Sequence, residues 1–355
     1  MGATKSRIVY LDFIKVFLTC MVVAHHAGQA YGDTGGTWLV SDGPKLDYLK
    51  SFFFFNAAYM MGLYFFISGY FTHYSAHNKP YKKYLKERFI RLGIPLIFFA
   101  FLIFGPLQFF LDNSTRNYFN FLADLHFNHP PLSLAHLWFV ASLLAYSVIY
   151  LLIIRFLKIE IEFSKNFKFW YPLLYLLFLI PVNVLVRQSY PIDHWVTWII
   201  PIEVAHLPQY FSLFLLGALF NKTGWLNTLR PRVSFAYMSL GLVLFFSKNF
   251  IYKELPYAWS ESVVESFLCI GMCLGLISLF KISFNRMKGI IKVISDNAYG
   301  IYLFHLLVVI ATQFLISNIK LDTNFKFIVA SLSGIFISLL LSIVLRKINF
   351  MRKIL

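Results

Sequence analysis

The stretch LDFIKVFLTCMVVAHHAGQAY, residues 11–31, decides how the rest of the chain is interpreted. It is apolar and long enough to cross a bilayer, whose hydrocarbon core of about 30 Å needs about twenty helical residues. Yet it contains Asp12, Lys15 and the adjacent pair His25 and His26. An ionisable group in hydrocarbon costs about 2.5–3.5 kcal/mol on insertion scales, so such groups persist where they are paired, face a wet cavity or take part in chemistry. The stretch therefore predicts a membrane helix whose polar residues need an explanation.

The composition of the whole chain is that of an integral membrane protein. Of its 355 residues, 59% are hydrophobic and only 14% are charged, whereas soluble domains carry about 25% charged residues. In a soluble protein the net charge of +16 would indicate nucleic acid, but here the basic residues form short clusters between apolar segments. We therefore expect a membrane-lipid environment and no nucleic-acid partner. The three cysteines lie in apolar runs without metal-ligand spacing, so no metal is expected.

Ten apolar segments approach the length of a membrane span and predict an all-α polytopic membrane bundle of about ten transmembrane helices. The segments are 11–31, 52–71, 94–111, 134–154, 169–186, 207–221, 233–250, 261–280, 294–316 and 327–345. They form a single domain over residues 1–355, and the sequence leaves the oligomeric state open.

Two further features concern the path of the chain. Residues 190–209 are interrupted by Pro191, Pro201 and Pro208, so this stretch remains open between a further span and a re-entrant or interfacial piece. Most of the 32 lysines and arginines fall on one side if the N-terminus is cytoplasmic. Because cytoplasmic loops carry the excess of basic residues, we expect both termini in the cytoplasm.

The first span carries its polar residues along one stripe. Lys15 and His26 are eleven residues apart, which places them about 20° from the same helix face and about 16 Å apart along the axis. Asp12 precedes Lys15 by three residues and can pair with it. A histidine can act as a general base near neutral pH. The competing interpretation is that Lys15 snorkels to one interface and the histidines lie at the other.

Polar residues near the second and third spans indicate packing and phosphate binding. Ser68 is followed by a glycine, and such small residues let membrane helices approach closely. Arg88 and Arg91 lie one turn apart at the cytoplasmic mouth of the third span, a geometry suited to phosphate, and Lys82 and Lys83 precede them. The alternative is ordinary positive-inside charge or contact with anionic lipid.

The remaining spans contribute two histidines and two carboxylates. His136 and Trp138 open the fourth span, where they can also form an interfacial belt pair. His305 lies inside the ninth span, while Glu261 and Glu265 enter the eighth span one turn apart. A buried carboxylate needs a partner, for which a histidine or a sugar hydroxyl is suitable.

Six of these segments together resemble the acyltransferase-3 family of membrane O-acyltransferases, closest to the branch that contains the glucan biosynthesis protein C succinyltransferases. The matching segments are LDFIK and HHA within 11–27, FFISGYF at 65–71, RFIRLGIPL at 88–96, HLWFV at 136–140, SESVVE at 260–265 and AYGIYLFHLL at 298–307. The resemblance runs from about residue 8 to 345. It implies a multi-pass enzyme of the bacterial inner membrane that moves an acetyl or succinyl group from cytoplasmic acyl-CoA to an extracytoplasmic glycan. The acceptor stays open among a periplasmic glucan, an O-antigen and an exopolysaccharide.

The family's marker is an arginine, ten intervening residues and a histidine. In this sequence it falls on Lys15 and His26, so the cation is kept but the planar bidentate contact of arginine is not. The resemblance implies that His26 is catalytic and that Arg88 and Arg91 bind the donor.

Further site residues follow from the resemblance and from the residue types. The resemblance implies that the pocket is lined by His136, Trp138 and His305. From their chemistry, we expect Lys82 and Lys83 to contact the CoA phosphates. Ser68 or Tyr70 is expected to donate to the thioester oxygen. Glu261 or Glu265 is expected to orient the base or the acceptor.

Two other classes of function compete with this interpretation. A secondary transporter would use the intramembrane histidine, lysine and glutamate side chains as a proton relay, and it would show helix breaks at corresponding places in two halves. A non-catalytic membrane partner of a glycan assembly machine is the third possibility. Within the enzyme hypothesis, direct transfer and an acyl-histidine intermediate both remain open.

Overall fold

The computed structural model describes residues 8–33, 38–111, 117–124, 134–157, 164–197 and 200–355. In these ranges the chain is a helical bundle with one small hairpin. The helices are α1 (Val9–Gly28), α2 (Tyr48–His77), α3 (Tyr81–Phe109), α4 (Tyr118–Ala123), α5 (Ala135–Phe156), α6 (Tyr171–Ser189), α7 (Leu207–Thr223), α8 (Trp225–Thr228), α9 (Pro231–Phe246), α10 (Lys248–Glu254), α11 (Tyr257–Ser283), α12 (Gly289–Ser317), α13 (Thr323–Leu345) and α14 (Met351–Ile354). The all-α prediction is confirmed.

Each of the ten apolar segments lies on a helix. Within the described ranges, eight helices are long and apolar enough to cross a membrane, and a ninth span results if α9 and α10, bent by 69°, are counted together. The remaining predicted segment is α7, whose 17 residues extend about 25 Å, short of a full hydrocarbon crossing. The cytoplasmic location of the termini stays a prediction.

Helices α1 and α2 run in opposite directions, because Tyr64 of α2 meets Lys15 of α1 while Phe53 meets Gly28, and they define two ends of the bundle. We call the end that holds Val9, His77 and Tyr81 the proximal end, and the end that holds Gly28 and Tyr48 the distal end. At the distal end, the Tyr48 hydroxyl donates to the Asn324 carboxamide oxygen at 2.8 Å.

The stretch 190–209 forms neither a span nor a helix along its first half. It contains an antiparallel hairpin of β1 (Trp195–Thr197) and β2 (Pro201–Glu203), in which Trp195 lies opposite Glu203. A 3₁₀ turn over Val204–His206 then leads into α7. Proline is tolerated at the first residue of a strand, which explains why the prolines that exclude a helix here do not exclude β2.

The close approach expected at residues 68 and 69 is confirmed. A Cβ atom added to Gly69 would lie 1.9 Å from the carbonyl oxygen of Phe214, and one added to Gly217 would lie 1.9 Å from that of Phe66. Helices α2 and α7 therefore touch backbone to backbone, which only glycine permits.

Helix α3 begins at Tyr81, thirteen residues before the predicted start of its span, and contains π turns over Phe89–Gly93 and Ala100–Phe104. Pro95 has no N–H group to donate to the carbonyl oxygen of Arg91, four residues earlier. The Tyr299 hydroxyl of α12 donates to that oxygen instead, at 2.7 Å. The basic residues before the predicted span are thus helical and fixed against α12.

Candidate active site

A cavity of about 580 Å³ lies between α1, α2, α3, α5 and α12. Toward the proximal end its wall is charged, and deeper in the bundle the polar groups are hydroxyls. The charged residues on its wall are Asp12, Lys15, Lys79, Glu87, Arg88 and Arg91. The deeper hydroxyls belong to Thr19, Tyr64, Ser68 and Tyr302. This gradient suits a ligand with an anionic end and a thin uncharged arm.

Lys15 and Asp12 line the cavity as the pair that their spacing predicts. Lys15 Nζ lies 2.5 Å from Asp12 Oδ1 and 5.2 Å from the centre of the Phe71 ring. The Lys15 side chain is 36% exposed, so the pair faces the cavity and stays accessible to a solute.

Both arginines of α3 also line the cavity. Arg88 donates from Nη2 to the Thr72 hydroxyl at 3.0 Å, and its guanidinium lies 5.2 Å from the Tyr84 ring centre. The Arg91 guanidinium lies 5.7 Å from the ring centre of Tyr299. In these contacts neither guanidinium is paired with a carboxylate, so each has N–H groups available to bind a ligand. Lys82 and Lys83 precede them on the same helix.

At the deep end of the cavity, two hydroxyls meet the backbone of α1. Thr19 Oγ1 and the Tyr64 hydroxyl lie 2.6 Å apart, and they lie 2.8 Å and 3.1 Å from the carbonyl oxygen of Lys15. Tyr302 lines the same end, and its hydroxyl donates to the carbonyl oxygen of His136. Tyr302 thus joins the cavity to the histidines described next.

Three histidines from three helices form one cluster. The ring centres of His26, His136 and His305 are separated by 6.4, 5.3 and 4.7 Å for the pairs 26–136, 26–305 and 136–305. His305 Nδ1–H donates to the carbonyl oxygen of Tyr302 at 2.7 Å, so His305 Nε2 carries a lone pair. Among the described residues, neither that atom nor either ring nitrogen of His136 has a hydrogen-bond partner, although both side chains are buried.

The His26 ring is held from two sides. Gln29 Oε1 lies 2.7 Å from His26 Nδ1, and the Trp38 indole stacks on the imidazole at 5.8 Å with 14° between the planes. Because the carboxamide oxygen can only accept, His26 Nδ1 carries the proton and Nε2 is the basic atom.

Gln313 of α12 fixes Trp38 in turn. Its Oε1 accepts from Trp38 Nε1 at 2.8 Å, and its Nε2 donates to the carbonyl oxygen of Ala27 at 2.9 Å. Sequence reasoning missed Gln29, Trp38 and Gln313. Gln29 lies one turn after His26 and was within reach of a spacing argument, whereas Trp38 and Gln313 are 275 residues apart and left no local signal.

The carboxylate of Glu265 belongs to a separate buried network. Glu265 lies 2.6 Å from Arg187 Nη2 and 2.9 Å from His206 Nε2, and Glu203 Oε2 lies 2.8 Å from His206 Nδ1. Glu203 also accepts from the backbone N–H of Asp193 at 3.0 Å. Burial alone would lower the pKa of His206, but the two carboxylates outweigh it and raise that pKa to about 10. His206 is therefore a cation in this network.

The structure brings together part of the predicted site. His26, His136 and His305 form the cluster, and Lys15, Arg88, Arg91 and Ser68 share the cavity. The other predicted residues lie elsewhere. Glu265 is in the ion network, Glu261 accepts from the Tyr257 hydroxyl at 2.8 Å, Trp138 stacks on Tyr210 at 5.7 Å, Tyr70 packs edge-on against Phe71, and Lys82 and Lys83 are exposed. In the part of the chain that the structure describes, no group of three or more His, Cys, Asp or Glu side chains could hold a metal ion.

Comparison with known proteins gives a family and distant relatives. The family model for the acyltransferase domain of the acyltransferase-3 type matches residues 8–347. The glucans biosynthesis proteins C of Salmonella paratyphi B (strain ATCC BAA-1250 / SPB7), Salmonella heidelberg (strain SL476) and Salmonella enteritidis PT4 (strain P125109) are each 28% identical to the chain over 163 residues. That match covers 45% of this chain and 42% of the length of each relative. No solved structure matches the chain.

Proposed function

The chain belongs to the acyltransferase-3 family, and from this membership we propose that it transfers an acetyl or succinyl group from cytoplasmic acyl-CoA to a hydroxyl of an extracytoplasmic glycan. One observation carries the proposal. One cavity has arginines near one end and Tyr302 at the other. The Tyr302 hydroxyl donates a hydrogen bond to the backbone carbonyl of His136, whose ring lies beside His26. The name of the Salmonella relatives, glucans biosynthesis protein C, supports a glucan as the acceptor.

The charged part of the cavity is proposed to hold the donor. Arg88 and Arg91 would bind the CoA phosphates, since guanidinium groups form bidentate contacts with phosphate oxygens. The pantetheine arm would pass Lys15 toward Thr19 and Tyr64. The excess of basic residues on the proximal side supports the proposal that this end faces the cytoplasm, and the family resemblance supports the bacterial inner membrane as its location.

The chemistry is proposed to occur at His26 Nε2. This atom would take the proton of the acceptor hydroxyl while the hydroxyl oxygen attacks the thioester carbonyl carbon. The carbon–sulfur bond then breaks, and the CoA thiolate receives the proton from the imidazolium. Gln29 keeps the proton on Nδ1 throughout, and His305 Nε2 would accept a hydrogen bond from a neighbouring acceptor hydroxyl.

The negative charge on the thioester oxygen needs a donor close to the reacting carbon. Thr19 and Tyr64 place two hydroxyls at the deep end of the cavity, and Ser68 lies on the same wall. We assign this role to Ser68, because the Thr19 and Tyr64 hydroxyls already donate to the carbonyl oxygen of Lys15. A fixed donor contributes about 10²–10³ in kcat at comparable sites.

The proposal is tested by reconstituting the protein in liposomes with acyl-CoA and a glucan oligosaccharide on opposite sides. Mass spectrometry then measures the ester on the glycan. We expect His26→Ala to lower kcat by about 10²–10⁴ with an unchanged melting temperature. His25→Ala is the matched control, because His25 packs against Phe53 and should retain transfer within about threefold.

Full transfer by His26→Ala would contradict the role of His26. Movement of the glycan or of protons across the liposome without ester formation would instead support the transporter.

A further inference from the structure

The hairpin at the distal end is anchored by far more than its own strands provide. Each strand has three residues, and an isolated hairpin of this size is not stable in water. Glu203 on β2 forms an ion pair with His206. Glu265 of α11 forms ion pairs with both His206 and Arg187 of α6, so the network connects the hairpin to these two helices. A buried network of this kind gives little net stability compared with apolar packing. The network instead holds the hairpin in one fixed position.

An aromatic ladder supports the exposed side of the same hairpin. The Trp195 ring meets Trp138 edge-on at 5.5 Å, Trp138 stacks on Tyr210 at 5.7 Å, and Tyr210 stacks on His206 at 5.3 Å. Trp195 itself is 37% exposed. The ladder therefore connects an accessible indole to the buried cation of the network.

The ladder also reaches the histidine cluster. Trp138 follows His136 by two residues at the start of α5, and His136 lies in the cluster with His26. From Trp195, the path to the proposed base His26 runs through the Trp138 ring, two residues of backbone and the His136 ring.

The residues beside Trp195 present groups that bind hydroxyls. Asp193 and His194 are exposed, and so is Tyr190. Asp193 adopts φ 65°, a left-handed conformation that is costly for a residue with a side chain, and its N–H is fixed by Glu203. A pyranose has an apolar face of C–H groups that packs on an indole and a rim of hydroxyls that carboxylates and imidazoles bind.

We infer that residues 190–197 form the docking subsite for the acceptor glycan, with a pyranose ring on Trp195 and its hydroxyls on Asp193 and His194. The inference rests on the proposed function, because it concerns the acceptor of that reaction. Aromatic residues also occur at membrane interfaces as anchors, and this other role is an outcome of the test.

The test compares two tryptophans of equal exposure. Trp195 and Trp170 are both 37% exposed, and they flank opposite ends of α6. We measure KM for a glucan oligosaccharide, kcat, and the melting temperature in liposomes. Trp195→Ala should raise the acceptor KM about tenfold, equivalent to about 1.4 kcal/mol, with kcat within twofold. Trp170→Ala should leave the acceptor KM unchanged, and Trp195→Phe should give an intermediate KM.

Binding is measured without catalysis by calorimetric titration of the oligosaccharide into His26→Ala protein. We expect binding in that background and its loss when Trp195→Ala is added. An unchanged KM for Trp195→Ala, together with a lowered melting temperature in liposomes, would overturn the docking site and make Trp195 an interface anchor. If the wild-type protein acylates no glycan but still binds the oligosaccharide through Trp195, the proposed function fails and the docking site stands.

Discussion

Two groups of buried polar side chains lie near the distal end of the bundle, and they differ in whether their polar atoms are paired within the fold. In the ion network of Arg187, Glu265, His206 and Glu203, each charged group faces an opposite charge at 2.6–2.9 Å. In the histidine cluster, Gln29 holds His26 through Nδ1, and among the described residues three buried nitrogens of His136 and His305 have no hydrogen-bond partner. The charges of the first arrangement are paired without a ligand, whereas the second keeps nitrogens that no described residue satisfies.

The difference has an energetic consequence. A buried polar atom without a partner costs about 1–3 kcal/mol, so the cluster lowers the stability of the fold while it keeps lone pairs available. Removing one member of a buried ion pair costs about 3–5 kcal/mol, because the other charge stays buried. Substitutions in the two groups should therefore change stability in opposite directions.

The largest effect is expected for Glu265→Gln. The substitution removes the carboxylate that pairs with Arg187 and leaves His206 paired with Glu203. We expect the free energy of unfolding in detergent micelles to fall by about 3–5 kcal/mol, as measured by denaturant titration. The kcat of the folded fraction should stay within threefold, because Glu265 lies outside the histidine cluster, while KM for the acceptor should rise, because the network fixes the hairpin.

A double variant checks the cause of this loss. Arg187→Met combined with Glu265→Gln removes both charges of one ion pair and keeps the pair of His206 and Glu203. We expect it to regain at least half of the lost stability, since neighbouring substitutions are not additive. A double variant as unstable as the sum of the single variants would show that packing, and not charge, holds this region.

A smaller effect, on activity alone, is expected at Gln29. Gln29→Leu frees the His26 ring to rotate and to change tautomer, so kcat should fall about tenfold while KM for acyl-CoA stays constant. At high pH, Gln29→Glu should retain more of the wild-type kcat than Gln29→Leu does. The acid limb of its pH–rate profile should lie at higher pH than that of the wild type, because a carboxylate on Nδ1 stabilises the protonated, non-basic imidazole.

The pH–rate profile of Gln29→Glu decides this assignment. The other titratable rings that face His26 are His25, His136 and His305, and all three are unchanged in the variant. If Gln29→Leu and Gln29→Glu both follow the wild-type profile with equal kcat, Gln29 has no part in setting the tautomer.

Much of the fold could be predicted from the sequence, because in a membrane each span must satisfy its own backbone and so appears as an apolar segment. The ten segments, the Asp12–Lys15 pair and the close approach at Gly69 depend only on local spacing. The hairpin could not be predicted in this way. Its strands have three residues each, and it is held by Glu203 and His206 through contacts with α11.

The candidate site also combines features that the sequence predicts with contacts between distant residues that it does not predict. His26, His136 and His305 were identified through segments that resemble a family, and the structure places their rings together. Glu265 was expected from its residue type to orient the base or the acceptor, but it is paired with Arg187, 78 positions earlier in the chain. A sequence shows that a carboxylate is buried in a span, but it does not show which distant cation neutralises it.

The smallest effect on stability is expected for His136→Phe in the histidine cluster, and His206→Phe in the ion network gives the sharpest contrast to it. His136→Phe removes two buried nitrogens that have no partner in the described residues and keeps a ring of similar size. We expect the free energy of unfolding to rise by about 1 kcal/mol while kcat falls. His206→Phe removes the cation between Glu203 and Glu265, so it should lose several kcal/mol. Denaturant titrations of both variants in the same detergent give the comparison. A destabilised His136→Phe protein would mean that the ring nitrogens of His136 form hydrogen bonds within the fold. The cluster would then resemble the ion network in needing no substrate to pair its polar groups.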